Sequence, residues 1–375
     1  MLTLLLLHVA PTLALTCEGY GAPEVIAEMS ATPVVEASGV AYSRTRPGIW
    51  FTHNDGGGQP ELYAFRLDGT FLETHPVEGA GFVDWEDLAA GPCPWARGDC
   101  VYIGDIGDNG RARERIWVYA VPEPAEGETL AVMATWNVVY PGGPQDAEAL
   151  FVHPRTGRIY LATKDPGGSV STIWRFPEEP AGDPVALEEV FAWTPAVGGA
   201  ATTGADWDAD GDRLVIRTYA AAWEWRTDPC DPEGHWGAEP SMWSIGDPHG
   251  EAIAYDTEGD LIAVTEGETM TITRLPCTAV GDGGTCDTGE ADTDTDTDAD
   301  TDTDTDADAD TDVDTDTDVD SGVDSPTDPA DTGEPGAEGC GGCGCTTGSP
   351  RGAWLIAVLI PLVLGRGGRM RGNLR

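Results

Sequence analysis

The chain has 375 residues, with 66 acidic side chains against 20 basic ones and a formal net charge of −46. A surface of that sign repels nucleic acid and anionic lipid, which excludes phosphate-backbone binding and leaves cations and neutral or basic partners as compatible ligands. Six of the nine cysteines lie at or before position 286, an even number that suits an exported, oxidised domain.

Residues 1–16 read as a secretory signal peptide. The apolar stretch LTLLLLHVAPTLAL ends in small residues, with cleavage after Ala14 or Thr16, although the usual basic start is missing. Residues 17–281 form the body, and they repeat one pattern five times: three short apolar strands separated by turns. The units begin SGVAYS, EDLAAGP, EALFVHP, TGADWDADG and EAIAYDT. Their first residues, Ser38, Glu86, Glu148, Thr203 and Glu251, are spaced by 48, 62, 55 and 48. Outer fourth strands follow as TFLETHPV, ATWNVVYP, ALEEVFAWT and SMWSIG, and only the fifth unit lacks one.

This periodicity predicts an all-β fold, a β-propeller of five blades. A sixth blade hidden in the long stretches 124–148 or 175–203 is the alternative, and a β-sandwich of similar hairpins is the competing architecture. The segment EVIAEMS (24–30) is a strand with no unit of its own. Supplying it to the fifth unit closes the ring and removes both exposed edges. That closure brings Cys17 beside Cys277 and predicts a disulfide between them. Cys93 and Cys100 then staple a loop, leaving Cys230 and Cys286 to pair.

Aligning the units puts Ser38, Glu86, Glu148, Thr203 and Glu251 at one end of the channel. The second strands end there as well, bringing His53, Asn54 and Asp55, then Asp105, Asp108 and Asn109, then Lys164 and Asp165, then Arg217 and Tyr219, then Glu266. Asp84 and Asp146 precede two of the glutamates in D-x-E spacing. Carboxylates converging on one mouth either take up protons or share a cation. Oxygen donors without a His/Cys cluster favour Ca²⁺, with Mg²⁺ as the alternative. The candidate ligands are Glu86, Glu148, Glu251, Asn54, Asp105 and Asn109. Lys164 is the only lysine of the chain. It is either a charge partner of the acidic ring or, with Arg217, an anion contact for a phosphate or carboxylate. The plainer reading is a polar channel that binds only water. No nucleophile elbow or phosphate-binding loop is present, since HNDGGG and GGPQDAEA precede no helix, and no catalytic residue is assigned.

Residues 282–338 hold 23 Asp and Glu and no base, mostly as an Asp-Thr repeat. Mutual repulsion predicts an extended, disordered stalk with at most diffuse Ca²⁺ binding. Residues 339–375 carry Cys340, Cys343 and Cys345, an apolar run from Ala353 to Gly365 broken by Pro361, and terminal arginines. Thirteen apolar residues fall short of the ~20 that span a bilayer.

On these residues the tail resembles the C-terminal sorting signals of myxobacterial surface proteins. The resemblance implies membrane engagement before processing near the cysteines, then retention at the cell envelope or outer surface. The body, by its acidic inner-strand tops (Glu86, Glu148, Glu251) and second-strand ends (Asn54, Asp105, Asn109), resembles exported propellers of the phytase-like and regucalcin/gluconolactonase-like kind. That resemblance implies a divalent ion in the channel and hydrolysis of phosphate esters or lactones. A non-catalytic module presenting its loops to a protein or glycan partner is the alternative function.

Overall fold

The computed structural model describes residues 15–282, apart from 57, 166–169, 198–200, 220 and 248–249. The remainder of the signal peptide (1–14), the stalk beyond 282 and the Cys340, Cys343 and Cys345 motif lie outside the described residues.

Strands β1 (Leu15–Tyr20) and β2 (Glu24–Ser30) precede five antiparallel units. The first is β3 (Ala37–Tyr42), β4 (Trp50–Asn54), β5 (Glu61–Phe65) and β6 (Phe71–Glu78). The second begins with β7 (Trp85–Pro92), β8 (Asp99–Asp105) and β9 (Ile116–Pro122); after the short β10 (Leu130–Ala131) it ends in β11 (Ala134–Val139). The third is β12 (Ala147–Val152), β13 (Ile159–Thr163) and β14 (Ser171–Arg175), then, past the short β15 (Val185–Ala186), β16 (Glu188–Trp193). The fourth is β17 (Thr202–Trp207), β18 (Arg213–Thr218), β19 (Ala222–Arg226) and β20 (Ser241–Trp243). The fifth is β21 (Gly250–Tyr255), β22 (Leu261–Thr265) and β23 (Thr269–Leu275), completed by β2. The final strand, β24 (Cys277–Asp282), pairs with β1. The molecule is a five-bladed β-propeller and not a sandwich.

Burial follows from position in the ring. The innermost strand β12 and the second strands β4, β13 and β18 are buried along their whole length, because neighbouring blades cover both faces. Outer strands such as β6 and β11 alternate, with one face toward solvent. Five separate apolar clusters form, one in each seam between blades. Trp50 and Phe65 fill the seam between blades five and one, Trp85 and Phe51 that between one and two.

Closure runs as the sequence predicts. Strand β2 lies antiparallel to β23, from Glu24 opposite Arg274 to Ser30 opposite Thr269. Cys17 is disulfide-bonded to Cys277, and Cys93 to Cys100. Of the third expected pair, Cys230 is disulfide-bonded, while Cys286 lies outside the described residues. The β1–β24 ribbon beside the ring was not foreseen.

The long stretches 124–148 and 175–203 hold no sixth blade among the described residues. Strand β10 adds parallel to β6, and β15 parallel to β11. In each case the segment between a blade's third and fourth strands reaches back and covers the open edge of the preceding blade, which removes a row of unpaired backbone groups.

One buried side chain ties three inner strands together. Asp87 is fully buried, and its carboxylate accepts backbone N–H bonds from Leu88 (2.8 Å), Leu150 (3.0 Å) and Ala205 (3.2 Å), tying the inner strands of blades two, three and four. The backbones pack so closely there that a Cβ on Gly39 would sit 2.5 Å from the Leu88 nitrogen.

Candidate metal centre

Every inner strand carries a β-bulge at its channel end. The register shifts between Ala37 and Val40, Trp85 and Asp87, Ala147 and Ala149, Thr202 and Gly204, and Gly250 and Ala252. The extra residues are Ser38 with Gly39, Glu86, Glu148, Thr203 and Glu251. A bulge re-aims the extra side chain out of the pleat. Here it puts Ser38, Glu86, Glu148 and Glu251 around one cavity, of about 70 Å³, while Thr203 is buried and does not line it. The wall is completed by Asp55, Asn109, Lys164 and Glu266.

Half of this ring is neutralised internally. Lys164 Nζ lies 2.8 Å from Glu148 Oε1 and donates to the Tyr219 hydroxyl at 3.1 Å, which in turn donates to Glu251 Oε1 at 3.2 Å. Burial disfavours the Lys164 ammonium, but Glu148 and Tyr219 outweigh it and hold the group above its ordinary value, so it stays charged. Lys164 is therefore the charge partner of the ring.

The other half has no cation in direct contact among the described residues, although Arg113 acts on Asp84 from a distance. One oxygen each from Asp55, Asp84 and Glu86 lie within 4.8 Å of one another. Burial, then the neighbouring Asp84, push the Asp55 carboxyl up to about 7. Burial also raises Asp84, and it raises Glu86 well above the usual carboxylate range, with Glu148, Asp55 and Asp84 adding repulsion. Glu86 is only 4% exposed, and no donor among the described residues bonds its carboxylate. Burial raises Glu251 too, and its Oε2 has no hydrogen-bond partner among the described residues. The nearby His53 is no counter-charge, since burial lowers it to about 4 and its Nδ1 meets the Asn54 carbonyl oxygen.

Of the ligands expected from the sequence, Glu86, Glu148, Glu251 and Asn109 meet at the cavity. Two do not. Asn54 turns away: its Oδ1 accepts from the Val35 and Glu36 nitrogens and its Nδ2 donates to the Pro33 carbonyl oxygen, pinning the chain before β3. Asp105 is bound by Arg113 at 2.6 Å and by the Asp84 nitrogen at 3.1 Å, so it anchors the 105–113 loop. Arg217 likewise lies outside the cavity. It is fully buried, donates to the Ala252 carbonyl oxygen at 2.9 Å and pairs with Asp247 at 3.5 Å, clamping blade four to blade five. In place of Asn54 and Asp105 stand Asp55, the next residue after Asn54, Asp84, two residues before Glu86, and Glu266, just past the end of β22. Alternation along the strand ends was the signal that separates Asn54 from Asp55.

No family model and no curated protein matches the chain. Among solved structures it resembles a glucose dehydrogenase at 11% identity and a TM-score of 0.38, over 69% of this chain and 100% of that one. It also resembles the soluble aldose sugar dehydrogenase Asd from Escherichia coli in its apo form, at 11% identity and a TM-score of 0.40, over 68% and 99% of the two chains. At such distance these likenesses carry no argument, and the propeller rests on the strand pairing alone.

Proposed function

We propose that this protein is an exported propeller, displayed at the cell envelope, that holds a divalent cation in the acidic pocket of its channel. The observation that carries the cation is Glu86: a carboxylate 4% exposed, without a donor among the described residues, beside Asp55 and Asp84. An unpaired buried charge of that kind is costly unless protonated or met by a cation. Asp55, Asp84 and Glu86 would supply the primary oxygens, with Glu266 and Glu251 across the cavity. An all-oxygen donor set suits Ca²⁺ before Mg²⁺, which demands stricter geometry.

Export is supported by the two disulfides, which suit folding in an oxidising compartment. Cleavage after Ala14 would leave β1 entire, whereas cleavage after Thr16 would trim its first two residues. Display rests on the repulsive stalk and the sorting-like tail.

A bound cation would supply a Lewis-acid centre for an anionic ester or a lactone, and Lys164 flanks that position. The non-catalytic reading draws on one specific feature: Lys164 is already engaged by Glu148, which leaves the cavity no spare base for an anionic substrate.

Calorimetric titration of the metal-free chain with Ca²⁺ and with Mg²⁺ tests the site, alongside Glu86→Gln and Asp84→Asn. We expect stoichiometric Ca²⁺ binding that both substitutions weaken by tenfold or more. Absence of binding by either ion to the unsubstituted chain would sink the proposal. Turnover of phosphate-ester or lactone substrates in the Ca²⁺-loaded protein separates a hydrolase from a binding module.

A further inference from the structure

The inner strands run from the acidic pocket toward the opposite face, and there the loops of blades two and three enclose a second, larger cleft of about 620 Å³. Its floor is aromatic. Tyr102 and Trp136 stack with centroids 6.1 Å apart and planes within 12°, and Phe176 meets Trp136 edge-on at 5.9 Å. Trp95 stands at the mouth, 70% exposed, 5.8 Å from Trp136 and tilted 43° to it. This indole is carried on the loop between Cys93 and Cys100, a disulfide that closes a separation of only seven residues. The disulfide limits how far the loop can swing, and the indole extends the aromatic surface of the cleft into water, where contiguous exposed apolar surface marks interaction sites.

The rim is polar in both senses. Arg155 and Thr156 bring donors, while Glu178 and Glu179 bring acceptors. Arg155 Nε donates to the Asp210 carbonyl oxygen at 2.8 Å, and both terminal nitrogens of its guanidinium have no hydrogen-bond partner among the described residues. The neighbouring Arg158, by contrast, is engaged by Glu233 at 3.2 Å.

We propose that this cleft binds a neutral saccharide of one or two rings. Its volume lies within the ~300–1,000 Å³ of small-molecule sites. A pyranose presents an apolar C–H face that an indole can cover, and an edge of hydroxyls that both donate and accept. That combination matches an aromatic floor and mouth with a rim of mixed sign. An anion meets two glutamates and a strongly acidic protein; a purely apolar ligand would leave the rim groups desolvated and unpaired. Trp95 is the stacking platform, and Arg155 with Glu178 and Glu179 takes the hydroxyls.

Calorimetry on the full chain with maltose, cellobiose, lactose and N,N′-diacetylchitobiose tests this. At least one should bind saturably. Trp95→Ala should weaken it roughly thirtyfold, as loss of a stacking aromatic platform does, while Trp95→Phe should recover most of the affinity. Because Trp95 is mostly exposed, its removal should leave the melting temperature unchanged. Glu86→Gln, in the acidic pocket on the other face, should leave the affinity unchanged, so failure here is distinct from failure of the cation site. Binding of none of the four sugars, or binding indifferent to Trp95→Ala, overturns the proposal. So does Trp95-dependent binding of decaproline without any sugar, which would make the cleft a groove for an extended peptide.

Discussion

At the scale of single residues, the acidic pocket is a store of electrostatic stress. Glu86 and Asp55 both titrate above the ordinary carboxylate range because burial and neighbouring acids oppose their ionisation. A carboxyl whose folded value exceeds its unfolded value binds its proton more tightly in the native state. The native state therefore loses stability as pH rises from the unfolded value near 4 toward the folded one, at about 7 for Asp55, and the penalty is complete above it. Metal-free protein should thus melt at progressively lower temperature between pH 5 and pH 8. Ca²⁺ at about a hundred times its dissociation constant should restore about 2.7 kcal/mol at pH 8, or about 5 °C in a domain of this size. Glu86→Gln keeps the shape and removes the charge. It should raise the metal-free melting temperature at pH 8 and abolish the response to Ca²⁺. Scanning calorimetry at the two pH values checks both, and a melting temperature that climbs from pH 5 to pH 8 without metal would refute the account.

At the scale of elements, the five bulges explain how much of the site was legible. The alignment of unit starts found Glu86, Glu148 and Glu251 because the bulge recurs at one position in every inner strand. It chose Asn54 and Asp105 over Asp55 and Asp84 because which neighbour turns inward depends on local hydrogen bonds. Asn54 is claimed by the Val35 and Glu36 amides and Asp105 by Arg113, contacts between segments that spacing cannot show. The edge-covering strands β10 and β15 were hidden for a related reason: two-residue strands carry no period. The spare strand β2 was visible because a full strand without a unit is a long-range anomaly. Beneath the bulges, the close approach of inner strands at Gly39 gives an element-level prediction. A methyl group there would meet the Leu88 backbone nitrogen at 2.5 Å, which side-chain rotation cannot relieve. Gly39→Ala should cost about 2 kcal/mol or more by overpacking and lower the denaturation midpoint, with the cation site distorted in step. Unchanged stability would show that blades one and two can slide apart at the axis.

At the scale of the whole molecule, the ring is closed by two devices that can be separated. The Cys17–Cys277 disulfide links residues 260 positions apart, so it constrains nearly the entire propeller in the unfolded state. Replacing both cysteines by serine should cost about 2–5 kcal/mol, seen as a lower denaturant midpoint, because a long loop gains most from cross-linking. The protein should stay folded and monomeric, since β2 still pairs with β23 along six residues. Removing residues 15–30 is a different insult. It strips the fifth blade of its outer strand and leaves β23 with a bare edge, while Met29 no longer covers the seam that Met270 and Ile272 share with blade one. An open edge of that length is a template for pairing with another chain. Sedimentation should then show oligomers or aggregates for the truncated protein but not for the double serine variant. A truncated chain that remains monomeric and as stable as the serine variant would mean that the disulfide, and not the strand, holds the ring shut.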